Sequence, residues 1–233
     1  MIRHRQLINA KLHINALRAQ HMRHVLHILV FCCLNFVSSS QATPTNSADE
    51  VVAQLQTALL ESAVLADLEQ RLEIVRDSIE SSHDFDAIAR LVTGRHWRKL
   101  GDAERAEFVG LFTELSVLRY AERFKAMGDS HFQYVETISQ PRDSLKVMTV
   151  LNLDSQTSFA ELSNSSELNF EYILRLDDSD EVNNGWKIIN VIVDGVSDLA
   201  LKRANYVSTI NDDGFAALLE QLTKEIAEVK SKG

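Results

Sequence analysis

The spacing of apolar residues changes period twice along the chain, dividing it into helices, then strands, then helices again. From Asp49 onward, Val52, Leu55 and Leu59, and then Leu68, Leu72, Val75 and Ile79, fall at steps of three and four. That is one buried stripe carried by two helices. A further helix starts near Asp84, shows Phe85, Ile88 and Leu91 on one face, and is stopped by Gly94. Residues 93–97 then read as a loop. Gly101 or Asp102 caps a longer helix, with Glu104 and Glu107 near its positive end. Its stripe is Phe108, Leu111, Phe112, Leu115, Leu118, Ala121 and Phe124, and it stops at Gly128. So many aromatics fill a core well, and they would equally wall an acyl cavity.

The period then drops from 3.6 to 2. Residues 132–138, 145–153, 168–176 and 186–193 are strand candidates, separated by a turn at 141–143, a polar serine and asparagine stretch, and residues 177–185. Consecutive strands joined by turns predict an antiparallel sheet. The third strand sorts cleanly, with Leu168, Phe170, Tyr172, Leu174 and Leu176 on one face and Asn169, Glu171, Ile173 and Arg175 on the other. In the fourth, alternation places Trp186, Ile188 and Ile192 opposite Ile189, Val191 and Val193, and a turn at Asp194 and Gly195 closes it. A strand apolar on both faces needs cover on both, and one of those covers is either protein or a greasy cargo. After Ser197, Leu201, Ala204, Val207 and Ile210 form a helical stripe; residues 211–214 break it, and Phe215, Leu218, Leu219, Leu222, Ile226 and Val229 form the last. The predicted class is α+β, a twisted antiparallel sheet of about four strands with helices packed on one face.

The first 42 residues stand apart. Arg3, Arg5, Lys11, Arg18 and Arg23 precede an apolar run at 25–37, and Ser40 and Ala42 sit where a signal peptidase reads small residues. The run is interrupted by His27 and Asn35 and falls short of the roughly 20 residues that span a bilayer. These features predict export to the periplasm with cleavage after Ala42. The leader is longer than the ~30 residues usual for such signals, whereas counting from Met22 gives 21, which points to Met22 as the true start. A disordered junction at 43–48 and a single domain at 49–230 follow.

Removing the leader takes away both cysteines, Cys32 and Cys33, five of the 24 basic residues and none of the 33 acidic ones, so the formal charge moves from −9 to −14. Such a surface does not seek phosphate-rich polymers, and nucleic acid is excluded as a partner. Only His83, His96 and His131 remain of the histidines, with no second histidine at metal-ligand spacing, so neither a metal nor any other cofactor is expected. No nucleophile elbow, phosphate-binding glycine loop or nucleotide fingerprint is present, and nothing in the sequence argues for an enzyme. Asp194, in its turn, is expected to satisfy backbone amides. Arg95, His96, Trp97, Arg98 and Lys99 form the one basic cluster of the mature chain. Arg95, Trp97 and Arg98 are candidates for a lip that meets a headgroup phosphate or an acidic partner, against the plainer reading of a solvated loop.

Three motifs in order resemble the MlaC family, periplasmic auxiliary proteins of ABC lipid transport also called toluene-tolerance proteins. They are FDAIARLVTGRHWRKLGDAERAEFVGLF from Phe85 with Tyr120 and Phe124 beyond it, GWKIINVIVDGVS from Gly185, and GFAALLEQL from Gly214. The form GVSDLALKRANY also resembles the hopanoid-associated HpnM branch, while the polar insertion at 155–167 departs from the pattern. The resemblance implies a twisted sheet and helices enclosing an apolar cavity that takes lipid tails and leaves the headgroup outside. It also implies a monomeric phospholipid shuttle between an outer-membrane lipoprotein complex and an inner-membrane ABC transporter with a substrate-binding ring, preserving outer-membrane lipid asymmetry. A hopanoid carrier is the alternative cargo reading. Two other classes remain as rivals. One is an exported adaptor that binds only protein; the other is a small cavity enzyme, for which only Asp194 or His131 could serve.

For the tail-contacting set the apolar faces nominate Phe108, Phe112, Leu115, Leu145, Val147, Phe170, Tyr172, Leu174, Trp186 and Ile188. A deep cavity is what the chemistry demands. Two sixteen-carbon tails hold on the order of 30 methylenes, and at about 0.8 kcal/mol each their exposure costs roughly 20 to 25 kcal/mol.

Overall fold

The structure, a computed structural model, describes residues 47–155, 157, 165–177 and 185–232. The leader, the proposed cleavage site and most of the junction and of the 155–167 insertion lie outside them. Six helices and a five-stranded antiparallel sheet follow in the expected order: α1 Ala48–Ala63, α2 Leu68–Ser82, α3 Phe85–Thr93, α4 Asp102–Arg123, β1 His131–Gln140, β2 Ser144–Asn152, β3 Glu167–Asp177, β4 Gly185–Val193, β5 Val196–Ser197, α5 Asp198–Asp213 and α6 Phe215–Lys232.

Local chemistry sets the helix starts. The carboxylates of Asp67 and Asp84 accept the amides of Gln70 and Ala87, and the Ser197 hydroxyl accepts that of Ala200, each satisfying a donor the first turn leaves free. At α1 and α4 the glutamates at the third helical position reach back instead, Glu50 to the Ser47 amide and Glu104 to that of Gly101, both at 2.8 Å. Residues 93–97 differ from the expected loop. Gly94, at φ 57°, ends α3, and the chain continues as a 3-10 helix, Gly94–Lys99, which turns His96 and Trp97 inward. Helix α5 likewise runs on through Asn211 and Asp212 to Asp213, and only Gly214, at φ 89°, closes it.

The strands pair in sequence order as a meander. Leu145, Val147, Thr149 and Leu151 of β2 lie opposite Leu174, Tyr172, Phe170 and Leu168 of β3, so one face of the sheet is apolar. The helices cover that face, and the other carries solvent-facing pairs such as Lys146 with Glu171 at 2.5 Å. Between β3 and β4 the register slips: Ile173 pairs with Asn190 but Leu174 pairs with Ile188, leaving Ile189 as a bulge. The strict alternation expected for β4 is corrected here, because the extra residue puts Trp186 and Ile188 on the same face as Val191 and Val193. Asp194 and Gly195, at φ 47° and 81°, make the two-residue hairpin turn into β5, the fifth strand beyond the four expected.

Apolar side chains gather in two clusters. One joins α1, α2 and the end of α4 to the sheet and includes Leu55, Ile79, Val147, Tyr172 and Leu174; the other joins α3, α4, α5 and α6 and includes Phe108, Phe112, Tyr206 and Leu222. Within the first, buried Gln56 donates to Thr149 Oγ1 at 2.9 Å and to the Tyr172 hydroxyl at 3.2 Å, so its amide is satisfied inside the core. Arg71, 2 % exposed, donates to the carbonyls of Leu65, Ala66 and Ala121 and pairs with Glu122 at 2.8 Å. One guanidinium thus ties the α1–α2 turn to the end of α4. Replacing Arg71 with alanine leaves these buried acceptors unpaired and is expected to lower stability by about 3 kcal/mol in urea unfolding. A loss under about 1 kcal/mol would show that water replaces it easily.

Candidate functional site

Between the two clusters lies a cavity of about 590 Å³, within the roughly 300–1,000 Å³ range of ligand pockets. The sheet supplies its floor through Leu151, Leu168, Phe170, Ile188, Val191 and Val193; α4 supplies one wall through Phe112, Leu115, Tyr120 and Phe124; and Phe85, Ile88, Leu199 and Tyr206 close much of the rest. Aromatic rings line it or back its wall in two connected runs. Phe85 meets Phe112 edge-on at 6.0 Å, Phe112 stacks on Phe108, and separately Tyr120, Phe124, Phe132 and Phe170 contact in series. The bulge in β4 matters here, since Ile189 and Asn190 as well as Val191 reach the cavity. Asn190 also holds α5 in place, its Oδ1 accepting from Ser197 Oγ and the Leu199 amide.

Four of the ten nominated tail-contacting residues, Phe112, Leu115, Phe170 and Ile188, stand on this wall. The other six do not. Phe108 is fully buried behind Phe112, against Tyr206 and Phe215, while Val147, Tyr172 and Leu174 are buried in the sheet–helix core, with Leu145 and Trp186 packed on its margin. They share the apolar faces of the wall residues, but lie farther along the strands or one turn away on the helix. The nominated lip is also placed elsewhere. Arg95 is exposed and donates to Asn211 Oδ1, Trp97 lies half-buried with the Arg105 guanidinium 5.5 Å from its ring centre, and Arg98 is exposed; none of the three lines the cavity. Asp194 accepts the amide of Asn169 on β3 rather than one of its own turn, and neither it nor exposed His131 reaches the cavity.

Polar groups also reach the wall, among them His83, Arg119, Tyr120, Arg123, Asp198, Lys202 and Glu225, none of which the sequence nominated for contact with cargo. A signal for two of them was present, since Arg119 and Arg123 are one turn apart beside the aromatic stripe of α4. His83 is buried, with Nδ1 3.0 Å from the Ile79 carbonyl and Nε2 3.1 Å from the Tyr120 hydroxyl. Ser82 Oγ also lies 2.9 Å from Nδ1, so both ring nitrogens have hydrogen-bonding partners inside the fold. Burial lowers the imidazolium pKa from 6.5 to about 4 and holds the ring neutral, and burial likewise raises that of the Tyr120 phenol. The His83–Tyr120 pair therefore brings no charge to the wall.

The His83 shift sets a stability dependence on pH. The unfolded chain takes up this proton near 6.5 and the folded one only near 4, so the contribution is complete above the first value and drains away as pH falls to the second. Between pH 7 and pH 5 the wild type is expected to lose about 2 kcal/mol more than a His83→Gln variant in parallel urea titrations. Equal losses would mean the imidazole protonates without penalty in the fold.

Residues 46–224 match a protein family described as MlaC protein. No curated protein matches the chain. Among solved structures, the chain is similar to a phospholipid-binding protein from Ralstonia solanacearum solved in complex with a phospholipid, at 15% sequence identity and a TM-score of 0.63, with 78% of this chain and 96% of that one covered.

Proposed function

The chain belongs to the MlaC family, and from that membership we propose that it is a non-catalytic carrier of phospholipid in the periplasm, moving diacyl lipid between an outer-membrane lipoprotein complex and the ring of an inner-membrane ABC transporter. The observation that carries this reading is the cavity itself, walled by Phe112, Leu115, Phe170, Ile188 and Val191 between two packed clusters. A protein core is normally close-packed, whereas this mostly apolar cavity of about 590 Å³ opens to solvent and leaves apolar side chains wet that a ligand would cover. The similar Ralstonia protein holds a phospholipid in the same fold.

Export fits the reading. Among the described residues no helix is long and apolar enough to cross a membrane, and the leader ending at Ala42 would deliver the domain to the periplasm. The formal charge of −14 that remains keeps the carrier off anionic leaflets, so that release depends on a docking partner that opens the cavity. Transfer is the test. Chain freed of lipid, incubated with vesicles holding labelled phosphatidylethanolamine and then separated by sedimentation, should leave with label and pass it to acceptor vesicles carrying the transporter ring. Label that stays wholly with the donor vesicles would count against carriage.

A further inference from the structure

We propose that the cavity carries a built-in anion subsite at its wall, in which Arg123, assisted by Arg119 and Lys202, holds the phosphodiester of the cargo. The inference rests on the carrier reading above and adds which part of the lipid is recognised by charge.

Five charged side chains reach the cavity wall: Arg119, Arg123 and Lys202 on one side of the balance, Asp198 and Glu225 on the other. Two of the cations are already matched. Arg119 donates to Glu225 at 3.2 Å, and Lys202 is paired with Asp198 one turn away. Among the described residues Arg123 has no carboxylate partner, and it is exposed at the end of α4. With His83 buried and neutral, the wall carries one uncompensated positive charge within a chain that is strongly negative overall. One phosphodiester carries one negative charge, so the complement is met by a single glycerophospholipid and by neither an uncharged glyceride nor a bare hydrocarbon.

Position supports the same conclusion. Arg119 and Arg123 lie at i and i+4 on α4, so their side chains emerge from the same face, flanking Tyr120, whose ring belongs to the apolar wall. An arginine fork presents paired N–H donors matched to two phosphate oxygens, which a lysine point charge does not. Tails lying against Phe112, Leu115 and Phe124 would thus place the phosphate beside the next turns of the same helix.

The experiment compares loading of the delipidated full-length mature chain from vesicles doped with labelled phosphatidylglycerol or with labelled diacylglycerol of the same tails, with inorganic phosphate alone as a third ligand. Wild type should take up phosphatidylglycerol at least ten-fold better than diacylglycerol, with a preference that weakens as salt rises. The Arg123→Gln variant should lose most of that preference while its diacylglycerol uptake stays within two-fold of wild type. Inorganic phosphate, lacking tails, should compete only at millimolar levels, and tight binding of it would overturn the assignment to a lipid phosphate. An unchanged preference in Arg123→Gln would overturn the subsite while leaving carriage intact. If wild type loads neither lipid, the carrier reading itself fails, and the subsite with it.

Discussion

A tryptophan in place of Val191 is expected to cut co-purified lipid by ten-fold or more while the protein remains folded. Val191 is half-buried on β4, opposite Tyr172, with its side chain on the cavity floor. In a filled core the added ring would overpack and cost about 1–3 kcal/mol. Here it enters open space between the sheet and α4, buries its own apolar surface and takes volume the tails would use, so stability should hold or rise. Urea unfolding together with lipid mass spectrometry of the same preparation reads both quantities. A stable variant with undiminished lipid would show that cargo sits elsewhere, and a destabilised one that the space is not available to a side chain.

Phe108 supplies the opposite case. It faces the apolar interior on the same helix as Phe112, yet it is fully buried among Phe112, Tyr206 and Phe215 and off the cavity wall. Phe108→Ala should therefore cost about 3–5 kcal/mol of stability while the fraction that stays folded keeps its lipid. Loss of lipid without loss of stability would move Phe108 from the core to the wall. Together the two substitutions separate residues that hold the fold from residues that border the cargo, a distinction hydrophobicity alone does not make.

That distinction also marks what was legible in the sequence. Helix and strand order followed directly from periodicity, because cap residues such as Asp67, Asp84 and Ser197 and stops such as Gly94 and Gly214 act within a few residues of chain. The turn at Asp194 and Gly195 was legible for the same reason, while the short strand β5 that it leads into was not. The bulge at Ile189 was not, since it depends on how β4 meets β3, and it reversed which residues share a face with Ile188. Assignment to the wall was half legible: Phe112, Leu115, Phe170 and Ile188 face the cavity, whereas Phe108 and Tyr172 have the same chemistry and face protein. Which neighbour an apolar side chain meets is decided by tertiary packing. The polar part of the wall escaped for another reason, because His83 and Tyr120 are far apart in sequence and acquire meaning only when their 3.1 Å contact forms. The basic cluster of Arg95, Trp97 and Arg98 was conspicuous for its composition, yet the structure sets it away from the cavity, while Arg123 drew no notice among the acids and bases of α4.

Whether an amphiphile completes the interior is open to direct measurement. Mature protein purified from native cells without detergent should be denatured in organic solvent and its extract quantified by mass spectrometry against the protein recovered. A diacyl phospholipid at about one per chain is the expected result. Protein that is folded, unexposed to detergent and free of any lipid would contradict it.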